Sequence, residues 1–224
     1  MSLIEIVPYT QKIEYLLYIA RYIAQGVMST LLCSLSAIVF GIFISICLTI
    51  LKYTNNTCFV FFVKVYISII RGTPFFLQLF FVYFALPGLV NVHVSMIFAC
   101  ILTLSINSSA YVSEIIRGGI ESVDKGQVDA AKMLSISYYD TMIDIVLPQS
   151  LKSIIPSLIN EIINLVKESA VVGVIGIADI MRRAHIISVE KYDFVTPLCI
   201  AGLFYYILIF IIAQIGIIIE KKLK

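Results

Sequence analysis

Charged side chains are scarce in this chain of 224 residues. Asp, Glu, Lys and Arg make up only 13% of the sequence, whereas hydrophobic residues make up 60%. An ordinary soluble domain has about 25% charged and about 45–50% apolar residues. A soluble globular enzyme is therefore excluded, because so few ionic side chains cannot cover the surface of a 25.1 kDa protein. The formal net charge of +2 gives no indication of nucleic-acid binding.

The residue patterns of metal and disulfide chemistry are also lacking. None of the five cysteines stands in a CxxC pair, and the two histidines, His93 and His185, form no HExxH motif. We therefore expect small buried cysteines rather than ligands or bridges, and we predict no metal site and no catalytic residue. Tryptophan is absent, so the 13 tyrosines must supply any aromatic belt at a membrane surface.

Long uncharged stretches are the strongest positive feature of the sequence. A helix needs about 20 apolar residues to cross a bilayer, and residues 22–51, 72–113 and 194–219 carry no charge. The second run is too long for one helix, so we predict a break at Leu86-Pro87-Gly88 and two spans. With a further span at about 153–177, the sequence predicts an all-α membrane protein with five transmembrane helices and termini on opposite sides.

The stretch before Arg71 leaves two interpretations open. Residues 58–70 are apolar except for Lys64. Together with 73–86 they would form one long helix bent at Pro74, which is the interpretation that we prefer. A separate helix at the membrane interface is the alternative.

Orientation is predicted from the basic residues near span ends, which are commoner on the cytoplasmic side. The larger group comprises Lys52, Arg117, Lys125, Lys132, Lys152, Lys221, Lys222 and Lys224, and the smaller group comprises Lys12, Arg21, Arg182, Arg183 and Lys191. This count predicts an external N-terminus and a cytoplasmic C-terminus. Residues 1–25 lack a basic start and a clean apolar core, so we expect an external amphipathic helix rather than a cleaved signal peptide.

The longest polar segment, residues 117–152, joins the third and fourth spans. Within it, 127–134 is expected to be a short helix, and 137–140 resembles a capping box that opens a second one. Pro148 is expected to end that second helix. Ala130 and Ala131 would allow another backbone to approach closely, so the loop is interpreted as a docking element rather than a solvated connection.

A polar stripe marks the fourth span. At 100° per residue, seven polar side chains fall within a 120° arc; they are Ser153, Ser157, Asn160, Glu161, Asn164, Lys167 and Glu168. Each charge facing lipid near the bilayer centre would cost roughly 2.5–3.5 kcal/mol. The stripe must therefore face protein, water or substrate, and it is either a substrate pathway or a contact between subunits. Asn107 on the third span and the Arg71–Thr73 pair are further pathway candidates, although Arg71 could instead fix a kink.

Several sequence motifs resemble those of a known protein family. Asp129-Ala130-Ala131, followed by Ser135 and by 145–148, resembles the EAA loop of permease subunits in bacterial ABC importers. The other matching segments are 71–78, 110–120, 125–127, 147–149, 160–161 and 167–169, and they resemble the polar amino acid family, which includes histidine and glutamine permeases. Asp129 replaces the usual glutamate, and Ser135 replaces the usual glycine. Serine adopts positive φ less readily than glycine, so the tightness of that turn is in question.

The resemblance implies a multi-pass protein of the bacterial cytoplasmic membrane that moves a polar amino acid, with glutamine as the best single choice. It also implies that the loop docks on a cytoplasmic ATPase dimer through Gly126, Gln127, Asp129, Ala130, Ala131 and Ser135. ATP is then bound by the partner and not by this chain, which contains no GxxxxGK[ST] loop and needs no cofactor. Further expected partners are membrane lipid, a second permease copy or paralogue, and an external solute-binding protein at Arg182, Arg183 and Lys191.

For the cargo, Glu161 would bind the ammonium group, with Asn160 and Asn164 supplying hydrogen bonds. Arg71 or Thr73 would bind the carboxylate. The alternative function is a secondary amino acid transporter that works as an oligomer, but five spans with a long polar loop show none of the internal inverted symmetry of that class.

Overall fold

The structure is a computed structural model that describes residues 9–54 and 56–223. Helices account for almost all of this part of the chain, and it contains no strand. The helices are α1 (Tyr9–Ala24), α2 (Gly26–Lys52), α3 (Thr57–Gly72), α4 (Phe75–Phe80), α5 (Leu86–Val90), α6 (Met96–Glu121), α7 (Lys125–Met133), α8 (Tyr138–Asp140), α9 (Leu147–Glu168), α10 (Ile180–Lys191) and α11 (Val195–Leu223). The predicted all-α fold is confirmed.

Three helical segments are long and apolar enough to cross a membrane: Gln11–Lys52, Met96–Glu121 and Val195–Lys222. The pair α3 and α4–α5 adds a fourth if it is one broken span. Helix α9 has 22 residues and is less apolar because it carries the charged stripe. Its length of about 33 Å would still cross the hydrocarbon. The count of five spans and the orientation remain predictions.

The chain breaks sharply between α3 and α4. The axes of Thr57–Gly72 and Phe75–Val90 differ by 104°, so the chain turns at Pro74 as predicted, but the turn breaks the helix and the two segments are not one continuous bent helix. Pro74 has no N–H and forces Thr73 into an extended conformation, with φ −119° and ψ 144°. The Gln78 amide nitrogen donates to the freed carbonyls of Ile70 (2.8 Å) and Thr73 (3.1 Å).

Two other prolines do not end their helices, contrary to prediction. A π-helical turn, Phe81–Ala85, comes just before Pro87, and a second, Thr141–Val146, comes just before Pro148. A wider turn accommodates a ring that lacks an N–H donor and would clash with the preceding carbonyl. The helical path therefore runs on to Val90 in one case and through α9 in the other.

Helices α2 and α6 form the most extensive helix contact in the described chain. Small side chains dominate the buried faces of both helices. On α2 these are Gly26, Thr30, Cys33, Ser34, Ala37, Gly41, Ser45 and Thr49. A Cβ atom added at Gly41 would lie 3.0 Å from the Ser108 hydroxyl oxygen, which shows how closely the two backbones approach. Such packing is the usual way that helices associate in lipid.

The two ends of α2 contact different parts of the chain. Its first residue, Gly26, lies against the backbone of Asp179, which caps α10. Its last residue, Lys52, donates to Glu114 of α6 at 2.7 Å, close to the 117–152 loop. Helix α10 and the polar loop therefore lie at opposite ends of the helix bundle.

Replacement of Gly26 by alanine tests the contact between α2 and α10. The new Cβ would lie 2.5 Å from the Asp179 carbonyl carbon, so backbone must move. We expect Gly26→Ala to lower the unfolding free energy of the detergent-solubilised protein by about 1–3 kcal/mol. Gly202→Ala is the matched control, because a Cβ there meets open space, and it should be neutral or stabilising by about 0.5–1 kcal/mol. Equal melting temperatures for the two variants would contradict the close approach.

Candidate functional site

Glu161 is the buried carboxylate of the polar stripe. Its residue is only 7% exposed, although it lies in the middle of α9. Its side chain faces Ser108 of α6 and Asn164 on its own helix. A charge at this depth needs a partner, and a mobile cationic ligand would supply one.

A chain of side-chain amides approaches the same region of α6 from α4. The Asn107 amide nitrogen donates to the Gln78 side-chain oxygen at 3.1 Å, and the Gln78 nitrogen donates to the Thr73 hydroxyl at 2.9 Å. The Asn107 side-chain oxygen is buried and has no hydrogen-bond partner within the described residues, and the buried hydroxyl of the next residue, Ser108, has only Glu161 facing it. Buried polar atoms are almost always paired. Ser108 faces Glu161, so this stretch of α6 carries polar groups that a bound ligand could contact.

The stripe divides into two faces. Glu161 is buried and Glu168 is half-buried, whereas Asn160, Asn164 and Lys167 are exposed on the single chain. Exposed polar groups on a helix that crosses the membrane require protein or water beside them. Both interpretations of the stripe, a pathway and a subunit contact, therefore stay open for this exposed face.

Arg71 does not join Glu161. Its guanidinium lies 3.9 Å from Glu114 and 5.3 Å from the centre of the Tyr111 ring, at the end of α3. Thr73, by contrast, contacts the amide chain through Gln78. Sequence reasoning did not select Gln78 or Ser108. Gln78 could have been noticed as an amide within the uncharged run 72–113, whereas Ser108 is one of many serines and its position depends on packing.

The polar loop of residues 117–152, named the coupling loop below after its predicted role, contains a compact unit of α7, α8 and the π turn Thr141–Val146. Asp124 caps α7 by accepting from the Gly126 N–H at 2.7 Å, and Ser137 forms the predicted capping interaction with the Asp140 N–H at 3.1 Å. Ala131 is buried, so of the two alanines only Ala130 is exposed. The exposed surface also contains Gly126, Gln127 and Asp129, together with the apolar residues Met133, Leu134, Tyr138 and Tyr139.

Ser135 occupies the position that is usually glycine, and it adopts the left-handed conformation with φ 56°. Its N–H donates to the Lys132 carbonyl, and the next N–H, of Ile136, donates to the Ala131 carbonyl, both at 3.0 Å. This pattern is a Schellman motif, which ends α7. The tight turn is thus kept, and serine must bear a strain of about 1–2 kcal/mol that glycine would avoid.

The predicted docking residues lie on or beside α10. Arg183 is held by its own chain, because its guanidinium donates to the Gln25 side-chain oxygen at 2.9 Å and lies 5.2 Å from the centre of the Tyr22 ring. Lys191 pairs with Glu190 at 2.8 Å. Arg182 is half-buried and forms no salt bridge within the described residues. A docking role for these residues remains a prediction.

Asp193 links α1 and α11 at the same end of the bundle. Its carboxylate accepts hydrogen bonds from the N–H groups of Val195 and Thr196, both at 3.1 Å, and from the Tyr15 hydroxyl at 3.2 Å. Burial raises the pKa of the Asp193 carboxyl, but these hydrogen bonds outweigh burial and hold the pKa below its ordinary value. The ionised carboxylate therefore caps α11 and fastens α1 beside it.

Comparison with known proteins gives consistent matches. Residues 37–224 match the family described as binding-protein-dependent transport system inner membrane component. The chain is 47% identical over 202 residues to a putative glutamine transport system permease protein, GlnP, of Rickettsia felis, covering 90% of this chain and 93% of that protein. It is 44% identical over 203 residues to the arginine transport system permease protein ArtQ of Bacillus subtilis, covering 91% and 93%.

A solved structure also matches nearly the whole chain. It is the crystal structure of an amino acid ABC transporter with histidines, with a TM-score of 0.88 and 32% identity, covering 96% of this chain and 99% of that one. The MetNI methionine ABC transporter, at 18% identity and a TM-score of 0.77, shares the fold.

Replacement of Ser135 by glycine tests the strain in the coupling loop. Because glycine adopts positive φ freely, we expect Ser135→Gly to increase the amide-exchange protection of α7 by about fivefold or more, equivalent to about 1 kcal/mol. Ser135→Val, with a β-branched side chain, should reduce that protection. Protection that is the same in all three proteins, measured by hydrogen–deuterium exchange, would argue against the left-handed turn.

Proposed function

The chain belongs to the family of binding-protein-dependent transport system inner membrane components, and from this premise we propose how it binds its substrate and receives energy. It is a membrane-spanning permease subunit of an amino acid ABC transporter. We propose that a polar amino acid crosses beside Glu161 and that a separate ATPase drives the movement through the coupling loop. The observation that carries the substrate site is the buried Glu161, which faces Ser108 of α6, one residue from the unpartnered side-chain oxygen of Asn107.

The geometry of the site favours recognition of a cation. Glu161 and the Asn107 side-chain oxygen are acceptors, and the Ser108 hydroxyl can either donate or accept. An α-ammonium group carries three donors, which matches this set. Arg71 pairs with Glu114, so the carboxylate of the cargo would be held by Thr73, by the exposed amides of Asn160 and Asn164, or by a second permease copy.

Glutamine is the proposed cargo, in agreement with the name of the Rickettsia relative. Arginine is the second candidate, because a relative of similar identity is named an arginine permease and because Glu168 lies on the same arc as Glu161. A guanidinium would use this second, half-buried carboxylate, whereas the neutral side chain of glutamine would not. Binding of arginine would therefore depend on Glu168, whereas binding of glutamine would not.

Energy is proposed to arrive by displacement of the docked coupling loop, since the chain has no phosphate-binding loop of its own. Met133, Leu134, Tyr138 and Tyr139 are exposed on the same loop as Ala130, and exposed apolar side chains of this kind are typical of a protein interface. The proposed occupant is the cytoplasmic ATPase dimer. The opposite end of the bundle, with α10, is the proposed docking face for the external solute-binding protein.

A second permease copy or paralogue is proposed to cover the exposed stripe of α9. Asn160, Asn164 and Lys167 are polar and exposed on the single chain, and lipid is an unfavourable neighbour for them. Two subunits that meet along this face would enclose the pathway between them.

The first test separates the two carboxylates. We expect Glu161→Gln to weaken binding of labelled glutamine to the purified transporter by about 10- to 100-fold, because a hydrogen bond to a charged group is lost. Glu168→Gln should leave glutamine binding unchanged. Glu14→Gln, at an exposed position on α1, is the control. Binding is measured without the external binding protein; unchanged binding and uptake in Glu161→Gln would refute the proposed site. Strong arginine binding that depends on Glu168 would favour arginine as the cargo.

The second test concerns the coupling loop. Ala130→Trp adds a bulky ring to the exposed face of α7, so it should abolish uptake and the substrate-stimulated ATPase activity of the partner while membrane insertion is retained. Ala85→Trp, at another exposed alanine, should retain both activities. Normal transport by Ala130→Trp in a complex that still contains its ATPase would show that the loop is only a connector.

A further inference from the structure

A cluster of basic side chains gathers where α2, α3 and α6 meet, on the side of the coupling loop. Glu114 is its central carboxylate. One oxygen accepts from Lys52 at 2.7 Å, and the other accepts from Arg117 at 2.8 and 3.0 Å. The Arg71 guanidinium also lies 3.9 Å from Glu114. Both oxygens of this carboxylate are therefore occupied by cations.

Positive charge remains in excess around this carboxylate. Lys64 of α3 lines the same cavity as Glu114. None of the carboxylates in the described residues is within salt-bridge distance of the Lys64 ammonium group. Lys52 uses one of its three N–H donors on Glu114. Arg117 has Glu121 as a further partner. The cluster can thus accept another anion without displacing an existing contact.

These side chains line an open cavity of about 400 Å³. Its lining residues are Lys52, Lys64, Ile67, Ser68, Glu114 and Arg117. Lys52 is the last residue of α2, and Arg117 is close to the end of α6. The cavity therefore lies at the level where the membrane-crossing helices leave the hydrocarbon, on the side with more basic residues.

The surface beside the cavity is apolar. On α3, the same helix that carries Lys64 and Ser68, the exposed residues include Phe59, Phe61, Phe62, Val65 and Ile69. A basic cavity at the boundary of the hydrocarbon, continuous with exposed aromatic and aliphatic side chains, matches the two parts of an anionic phospholipid. We propose that this cavity binds the phosphate headgroup of an anionic phospholipid from the cytoplasmic leaflet, with its acyl chains against α3.

Lys64 is the residue that this site requires most. Its ammonium would donate to a phosphate oxygen, with Lys52 and the Ser68 hydroxyl as further donors. The Lys64 side chain is exposed, so its replacement should not disturb folding. It is also not one of the residues of the candidate substrate site around Glu161. Lipid binding at Lys64 and amino acid binding at Glu161 are separate properties and can be lost separately.

The test is a titration of the full-length purified permease with phosphatidylglycerol, followed by native mass spectrometry. Lys64→Gln should weaken binding of phosphatidylglycerol by about fivefold, the effect expected for one basic residue near the surface. Lys64→Arg keeps the charge and should retain binding. Lys221→Gln, at an exposed lysine at the end of α11, is the matched control and should bind like the unaltered protein.

Two further probes separate the sources of phosphate. Phosphatidylcholine, which has a phosphate but no net charge, should bind more weakly than phosphatidylglycerol, and a tenfold excess of inorganic phosphate should not displace the lipid. Displacement by inorganic phosphate would overturn the lipid site in favour of a free anion. Equal phosphatidylglycerol binding in Lys64→Gln and the unaltered protein, or an equal loss in Lys221→Gln, would also overturn the proposal. Melting temperatures of all variants check that each is folded.

Discussion

Association of α2 with α6 depends on small side chains, because apolar groups gain little by exchanging lipid for protein inside a bilayer. Glycine at position 41 allows Ser108 to lie against α2, and Ser108 in turn faces Glu161 of α9. Ser108 therefore belongs both to the contact between α2 and α6 and to the candidate substrate site. A larger residue at position 41 would therefore move α6 and the polar groups around Glu161 together.

Interrupted helices position the other functional groups. The extended residue before Pro74 turns the chain by 104°, and the Gln78 amide satisfies the carbonyls that this break exposes. The same amide then reaches Asn107. Irregular backbone inside a membrane is tolerated only where its polar groups are satisfied by protein or water. The Gln78 amide, which satisfies the carbonyls left free by the break, is therefore also part of the candidate site.

Charges are separated by depth along the bundle, and each depth has a different role. Asp179 and Asp193 cap helices at one end. Glu161 is buried in the middle, where a ligand can neutralise it. At the other end, Glu114 holds the ends of α2, α3 and α6 together through three basic residues. With only 30 charged residues available, Asp179, Asp193 and Glu114 each have contacts that explain their presence.

Composition, uncharged run lengths and the motif of the coupling loop were enough to predict the membrane class, the helical fold and the transport family. Those properties depend on average hydrophobicity and on local spacing, which a single chain displays directly. The capping role of Ser137 was also predictable, because a capping box involves residues only three positions apart. Glu161 was selected by its place on a polar arc, which requires only the helical repeat.

Tertiary structure decided the rest. Pro87 and Pro148 were expected to end helices, yet a π turn precedes each of them and the helix continues beyond the proline. Arg71 was placed near the cargo, but it pairs with Glu114, 43 positions away in sequence. Gln78 and Ser108 join the site only because α4 packs on α6 and α6 packs on α9. Pairings between distant residues depend on how helices cross, and the helical repeat of one segment contains no information about its partner.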